Sequence, residues 1–422
     1  MQKLAIINSK VNQAIITLGG KGTRLVEITK DIPKPLWKIN GIHTLERTIK
    51  VLSKQGIKKF IWITGYKHEL FEKEAIEISK NYDISIAIHK EEQAKGEAGS
   101  LLDMLDILED DFLFVNGDII FNIDIARLYE FHNRNNSEIT FVTHFTNHPD
   151  DSDCIIESPS LSIYKYKLKN EYSNLKGFYL GNAGVALISK NVVIIASDIY
   201  KEKYNELSLF KDFIVFAHSN KLKVYSYNTS EYLKDMGTPN RLLSVSKEIK
   251  KGDVEKGSYK NTQTALFLDR DNTIIKCNQG DYITNRKQIS LFKNRIKNIS
   301  LIAKKFNIVI LISNQPQIAM GKVSWEEVIQ INGEIISKCQ SYDLKIACFY
   351  ICPHHPHSGY PEEINSLKTS CFCRKPLPGL FLEASINRNI DLDNSMMIGD
   401  SWRDRKAAEH LKMKFIGATE LD

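Results

Sequence analysis

Thr264-Ala265-Leu266-Phe267-Leu268-Asp269-Arg270-Asp271-Asn272-Thr273 sets two aspartates, one residue apart, at the end of an apolar run. The run reads as a buried strand, and the aspartates sit where it leaves a sheet. Open parallel sheets carry their chemistry at that carboxyl edge. Two carboxylates so close repel each other unless a cation or a proton lies between them. A solvated acidic turn accounts for the aspartates but not for the apolar residues before them.

Three further segments could converge on the same sheet edge. Ser313-Asn314-Gln315 ends the run from Ile308, Arg374-Lys375-Pro376 ends a cysteine-rich loop, and Gly399-Asp400-Ser401 with Asp404 follows Met396 to Ile398. A third buried strand is expected over Ala347 to Ile351. Phosphoryl transfer to a carboxylate needs such parts. A nucleophilic carboxylate splits one hard step into two. A second carboxyl moves the proton. Mg²⁺ between acids offsets the incoming phosphate, and a hydroxyl and an ammonium hold its outer oxygens.

This ordered set resembles the haloacid dehalogenase superfamily over about 264–420. The resemblance implies Asp269 as nucleophile, Asp271 as general acid and base, and Ser313 and Lys375 on the phosphate. It implies Mg²⁺ held by Asp269, Asp271 and Asp400, with Asp404 as an outer or metal-side acid. Asn272 stands where that superfamily commonly has Gly, and Asn tolerates left-handed backbone.

Cys352-Pro353-His354-His355-Pro356-His357 and Cys371-Phe372-Cys373 offer four N and S ligands to a tetrahedral zinc. Cys352, His354, Cys371 and Cys373 are the expected set; His355 or His357 can replace His354. Such a closed site is structural and should place Lys375. The loop runs into Cys373-Arg374-Lys375-Pro376-Leu377-Pro378-Gly379, which resembles the D-glycero-D-manno-heptose 1,7-bisphosphate phosphatases. That resemblance implies removal of the 7-phosphate, with Arg374 and Asn314 on the substrate. Histidinol phosphatase is the neighbouring alternative. No large cap segment interrupts the motifs.

Upstream, Gln13 to Leu18 is β-rich and leads into Gly19-Gly20-Lys21-Gly22-Thr23-Arg24. Glycines let a backbone approach phosphates, and free N–H groups make an anion cradle. Helices are expected from Leu45 to Lys54, up to Ile78, and from Ala98 to Leu108. Strands are expected at Phe60–Thr64, Ile84–Ile88, Phe112–Val115 and Ile139–Thr143. Gly184–Ile188 and Val224–Tyr227 continue the mixed pattern, and Thr238–Ile249 closes it as a helix. Alternating strands and helices predict an α/β fold with doubly wound sheets, mixed in the first domain. The polar, aperiodic stretch 250–262 reads as a linker between domains 1–249 and 263–422.

Pro33-Lys34-Pro35-Leu36, Gly96-Glu97-Ala98-Gly99, Val115-Asn116-Gly117-Asp118, Gly181-Asn182-Ala183-Gly184 and Asp235-Met236-Gly237 accompany the glycine loop. Together they resemble the sugar-1-phosphate nucleotidyltransferases over about 13–245, and most of all the heptose 1-phosphate guanylyltransferases. The resemblance implies Arg24 and Lys34 on phosphates, and Mg²⁺ on Asp118 and Asp235. Gly19, Gly20, Gly22, Gly96 and Gly99 would line the nucleotide, Asn182 and Gly184 the sugar. Leu18 and Glu97 stand where that family commonly has Ala and Thr, which leaves the base open.

Length and composition fit this plan. A chain of 422 residues, 42% hydrophobic and 26% charged, has room for two globular cores. Net charge is +6 with scattered lysines, so nucleic-acid binding is not indicated. No apolar run reaches membrane length and no signal peptide is evident, so a cytoplasmic location is expected. Seven cysteines without a signal argue against a disulfide framework. The combined expectation is a bifunctional enzyme making nucleotide-activated heptose for lipopolysaccharide or capsule. Its small-molecule partners would be sugar phosphates and a nucleoside triphosphate, GTP first, and the sequence allows a homo-oligomer. The alternative keeps the phosphatase and makes the first half a nucleotide-sugar-binding regulatory module.

Overall fold

The structure, a computed structural model, describes residues 11–20, 32–146, 152–158, 160–168, 179–200, 206–278 and 280–422. The chain divides into two compact units, one of residues 1–144, 157–168 and 182–258, the other of 145–156, 169–181 and 259–422.

In the first unit the central strand is Gln13–Thr17, buried along nearly its whole length. It pairs in parallel with Lys59–Thr64 on one side and Asp111–Asn116 on the other. Ser85–Lys90 extends the parallel set beyond Lys59–Thr64. Asp111–Asn116 then meets Tyr179–Ser189 antiparallel, so the sheet is mixed. Val224–Asn228 pairs in parallel with Ile139–Thr146 at that end. Amphipathic helices pack on these strands: Thr44–Ser53 buries Thr44, Leu45, Thr48, Ile49 and Leu52, one face at helical spacing. Pro239–Lys251 shows how the chain punctuates itself. The Thr238 side chain caps it by accepting from Arg241 N, Pro239 opens it, and Gly252 closes it at φ 72°.

The expected helix Ala98–Leu108 is not one helix. It breaks into Gly96–Gly99, a 3₁₀ turn at Ser100–Asp103 and another at Leu105–Ile107, with Met104 out of helical geometry between them. Residues 98 to 102 are all buried in succession, which no single helical face can achieve, so the chain winds more tightly. The expected linker 250–262 carries a short helix at Asp253–Lys256. That helix buries no residue, so it leaves no apolar period in the sequence.

The second unit holds a five-stranded sheet in the order Cys348–Cys352, Ile308–Asn314, Ala265–Leu268, Met396–Gly399, Lys414–Gly417. Every pairing is parallel. Ala265–Leu268 is buried throughout, as an inner parallel strand must be. Helices Lys293–Ala303, Trp325–Gln340, Gly379–Arg388 and Trp402–His410 cover it. The edge strand Lys414–Gly417 has only four residues, too few to stand out in the sequence. No helix among the described residues is long and apolar enough to cross a membrane.

Candidate active sites

The all-parallel register carries the second unit's functional side chains to one edge. Leu268 pairs with both Leu311 and Ile398, so Asp269, Ser313 and Asp400 emerge side by side. Asp269, Asp400 and Asp404 bring carboxylate oxygens within 4.8 Å of one another. Lys375 joins them from the loop, with Nζ 2.5 Å from Asp269 Oδ1 and 2.6 Å from Asp404 Oδ1. The same ammonium donates to Ile312 O at 2.9 Å. Asn314 locks the loop that carries it, exchanging hydrogen bonds of 3.0 Å with Lys375 O and N. Asn272 has φ 55°, the left-handed backbone expected there.

Asp271 takes a different place from the expected one. Its carboxylate lies outside the Asp269, Asp400 and Asp404 group and is held by Arg270 and Gln315. Arg270 is fully buried; it bonds both Asp271 oxygens at 3.0 Å and reaches Asn332 Oδ1 at 3.0 Å. Gln315 Nε2 donates to Asp271 Oδ2 and also to Ser313 Oγ. Asp404 is the third member of the acid group in place of Asp271: Ser401 N and Oγ donate to its Oδ2, and Oδ1 faces Lys375. Gln317 Nε2 in turn donates to Gln315 Oε1 at 2.6 Å, and neither Arg270, Asn332 nor Gln317 belongs to a sequence motif. The available clue was polar residues inside apolar surroundings, such as Asn332 between Val328 and Ile335 on a buried helix face.

Electrostatics follow from crowding. Burial pushes the Asp269 carboxyl up to about 8; Lys375 opposes the rise, while Asp404 and Asp271 add to it. Burial and Asp404 also raise Asp400. Burial works against the charge on Lys375, yet Asp269 and Asp404 hold it above the ordinary lysine range. A cluster of acids that resists full ionisation is a ready site for a hard divalent cation.

Cys352, His354, Cys371 and Cys373 form a second cluster within 4.8 Å. Cys352 Sγ lies 3.5 Å from Cys371 Sγ, and Cys371 and Cys373 sulfurs are 3.2 Å apart. His354 Nδ1 lies 3.7 and 3.2 Å from Cys352 and Cys373. A tetrahedral zinc demands edges of about 3.8 Å between sulfurs and about 3.5 Å from sulfur to nitrogen. The cluster is therefore close to the size of that cage, and all its cysteines are free thiols. Hydrogen bonds, first from Cys373, pull the Cys352 thiol down to about 5. His355 bonds the backbone of His357 instead and lies outside the cluster. Arg374, next to Cys373, donates to His354 O at 3.2 Å, tying the cluster to the Lys375 loop.

In the first unit, Lys34 Nζ lies 2.8 Å from Asp118 Oδ2. A two-stranded ladder brings Asp235 alongside: it pairs with Ile119, and Met236 N donates to Asp118 O at 3.1 Å. Asp235 Oδ1 accepts from Gly237 N and from Arg241 Nη1 at 2.8 and 2.9 Å. Gly117 allows this convergence, because a Cβ there would stand 2.4 Å from Thr17 O. A cleft lined by Glu97, Asn116, Phe141, Asn182, Gly184 and Phe210 opens beside it. Asn182 Oδ1 accepts from Gly184 N at 3.1 Å, so the expected sugar-side pair forms one turn. Gly96 and Gly99 begin the wound segment that docks on Leu207, with Ala98 N donating to Leu207 O. Gly19 and Gly20 follow the central strand; Gly22 and Arg24 lie outside the described residues.

Clusters of carboxylates and lysines at the strand ends of two α/β sheets are the arrangement of proteins that bind phosphorylated ligands. Residues 13–252 match the nucleotidyl transferase family model. The chain belongs to the nucleotidyl transferase family through these residues, and through its other part to the heptose-1,7-bisphosphate 7-phosphatases. It is 34% identical over 145 residues to the D-glycero-beta-D-manno-heptose-1,7-bisphosphate 7-phosphatase of Vibrio cholerae, covering 34% of this chain and 75% of that protein. It is 31% identical over 239 residues to the D-glycero-alpha-D-manno-heptose 1-phosphate guanylyltransferase of Campylobacter jejuni, covering 54% and 95%. The guanylyltransferase of the same description from Aneurinibacillus thermoaerophilus is 27% identical over 238 residues, covering 56% and 98%.

Proposed function

We propose that the chain is a bifunctional enzyme that makes nucleotide-activated heptose, with a phosphatase domain at 263–422 and a nucleotidyltransferase domain at 1–249. The observation that carries this reading is the pairing of similarities. One relative is named for removing a 7-phosphate from a heptose 1,7-bisphosphate, and the other for using a heptose 1-phosphate. Removing a 7-phosphate from a heptose 1,7-bisphosphate leaves a heptose 1-phosphate, the class of compound the second is named for.

In the phosphatase half, an Asp269 oxygen attacks phosphorus of the 7-phosphate, and Asp271 protonates the departing sugar oxygen. Asp271 then takes a proton from water as that water attacks the acyl phosphate, which frees Asp269 and releases phosphate. Ser313 and Lys375 hold the outer phosphate oxygens; Asn314 and Arg374 contact the sugar side. Asp269, Asp400 and Asp404 suit Mg²⁺, which would neutralise the phosphate. Cys352, His354, Cys371 and Cys373 suit a structural Zn²⁺ that fixes the Lys375 loop. The capless layout of the domain leaves its site open to a small sugar.

In the transferase half, an oxygen of heptose 1-phosphate attacks the α-phosphorus of GTP, and pyrophosphate leaves. Lys34 and Arg24 neutralise phosphates, Asp118 and Asp235 suit a second Mg²⁺, and Asn182 and Gly184 face the sugar. The relatives differ in anomer, beta for the phosphatase and alpha for the transferase. Consecutive action in one chain requires a single anomer, and we assign alpha to both steps. The enzyme would work in the cytoplasm, where nucleoside triphosphates are. Supplying alpha and beta heptose 1,7-bisphosphate separately, with Mg²⁺ and each nucleoside triphosphate, tests this by mass spectrometry. A GDP-heptose from the alpha anomer is expected; phosphate release without any nucleotide sugar would favour the regulatory-module alternative.

A further inference from the structure

We infer that Gln317 is a positioning residue of the phosphatase site: through Gln315 it turns the Ser313 hydroxyl into a hydrogen-bond donor for phosphate. The inference rests on the phosphatase reading above. Gln315 and Gln317 flank Pro316 just past the strand Ile308–Asn314, and both are buried. Their backbone is anchored: Gln315 N donates to Cys352 O at 2.8 Å, and Gln317 O accepts from Lys322 N at 3.0 Å. Pro316 fixes its own φ between them, so the two amides are presented in one relative setting. Gln317 Nε2 donates to Gln315 Oε1 at 2.6 Å. Gln315 Nε2 then faces the site and donates to Ser313 Oγ at 2.7 Å and to Asp271 Oδ2 at 3.0 Å. These three side chains form a chain of donors that runs from the interior to the phosphate-binding hydroxyl.

The direction of the chain matters because a hydroxyl can donate or accept. Ser313 Oγ already accepts from Gln315, and among the described residues its own proton goes to none. That proton is left for an outer phosphate oxygen. An inverted Gln315 amide would set Oε1 against Ser313 and draw the same proton away. Two contacts oppose inversion, Asp271 on the amide nitrogen and Gln317 on the amide oxygen. Asp271 must turn to the departing sugar oxygen during the reaction, whereas Gln317 touches no reacting group. The hold that persists through the reaction is therefore Gln317. It is kept at a cost, since Gln317 Oε1 is buried without a hydrogen-bond partner among the described residues. An apolar side chain of the same length would avoid that orphaned oxygen, but it would not fix the amide.

The test uses the full chain, with p-nitrophenyl phosphate for turnover and inorganic phosphate with Mg²⁺ for equilibrium binding by titration calorimetry. Gln317→Met keeps an unbranched side chain of similar size and removes the donor. It should lower kcat/KM and weaken phosphate binding by roughly 5- to 10-fold, the effect of one lost hydrogen bond. The same exchange in a Ser313→Ala background should change either quantity by less than about twofold, because a residue acting through Ser313 then has nothing to act on. The melting midpoint should stay close to that of the wild type, since each protein leaves one buried amide oxygen without a donor. Equal losses in the two backgrounds would overturn the inference, as would a loss explained by a lower midpoint or wild-type phosphate binding in Gln317→Met. If the wild type hydrolyses no ester while Gln317→Met still weakens phosphate binding only when Ser313 is present, the phosphatase reading falls and the positioning role stands.

Discussion

Replacing Lys375 by methionine tests the electrostatics of the phosphatase site most sharply. Lys375 Nζ is the common partner of Asp269 and Asp404, at 2.5 and 2.6 Å, and it is only 3% exposed. Methionine keeps most of the volume and removes the charge. Two buried carboxylates then face each other, with Asp400 close by, and no ammonium between them. Removing one partner of a buried ion pair costs about 3–5 kcal/mol. For a domain of this size that corresponds to a fall of about 6–20 °C in its thermal midpoint. The sign with pH is fixed by Asp269, whose folded pKa is raised to about 8 from an ordinary 3.8. The folded state then binds more protons than the unfolded state between those values, so stability falls as pH rises through that window. The variant should lose more at pH 8 than at pH 5. Scanning calorimetry in EDTA and in Mg²⁺ reads the effect, and Mg²⁺ should rescue the variant more than the wild type at pH 8. Equal midpoints for the two proteins in EDTA, or a loss that grows as pH falls, would refute the account of this cluster.

Three further outcomes are expected. Cys371→Ala should lower bound zinc by about one ion per chain in metal analysis, because three ligands hold it far less well than four, and phosphatase kcat should fall with it. Gly117→Ala should reduce transferase activity at least tenfold while leaving phosphate release intact, since its Cβ would meet Thr17 O at 2.4 Å beside Asp118. His132 is buried against Thr140, Ser189 and Asp111, and burial lowers its pKa to about 4. The unfolded chain binds its proton first, so the first domain should lose stability as pH falls from about 6.5 to about 4. A His132→Gln protein should show a shallower decline in circular-dichroism melts.

The apolar runs before Asp269, Ser313 and Asp400 made the parallel sheet of the second unit readable, because buried strands need unbroken apolar sequence. The grouping of Cys352, His354, Cys371 and Cys373 was readable for the same local reason, as two short pairs with fixed spacing. Partners across the fold were not. Nothing adjacent to Asp271 says that Arg270 folds back on its neighbour and leans on Asn332, 62 residues away. Nor does the order of motifs tell which acid turns toward Lys375; that follows from Ser401 capping Asp404. Ala98–Leu108 misled because a segment buried on every side has no periodicity that separates one helix from several turns.

The central claim is that two sites on one chain act in sequence on one sugar. The direct measurement is a product analysis of wild type, Asp269→Asn and Asp118→Asn proteins given alpha-heptose 1,7-bisphosphate, GTP and Mg²⁺. Wild type should yield GDP-heptose, phosphate and pyrophosphate. Asp118→Asn should stop at heptose 1-phosphate, and Asp269→Asn should make no product unless heptose 1-phosphate is supplied. Mixing the two variants should restore GDP-heptose. If Asp118→Asn still forms a nucleotide sugar, or if Asp269→Asn still releases phosphate from the bisphosphate, the assignment of the two sites is wrong.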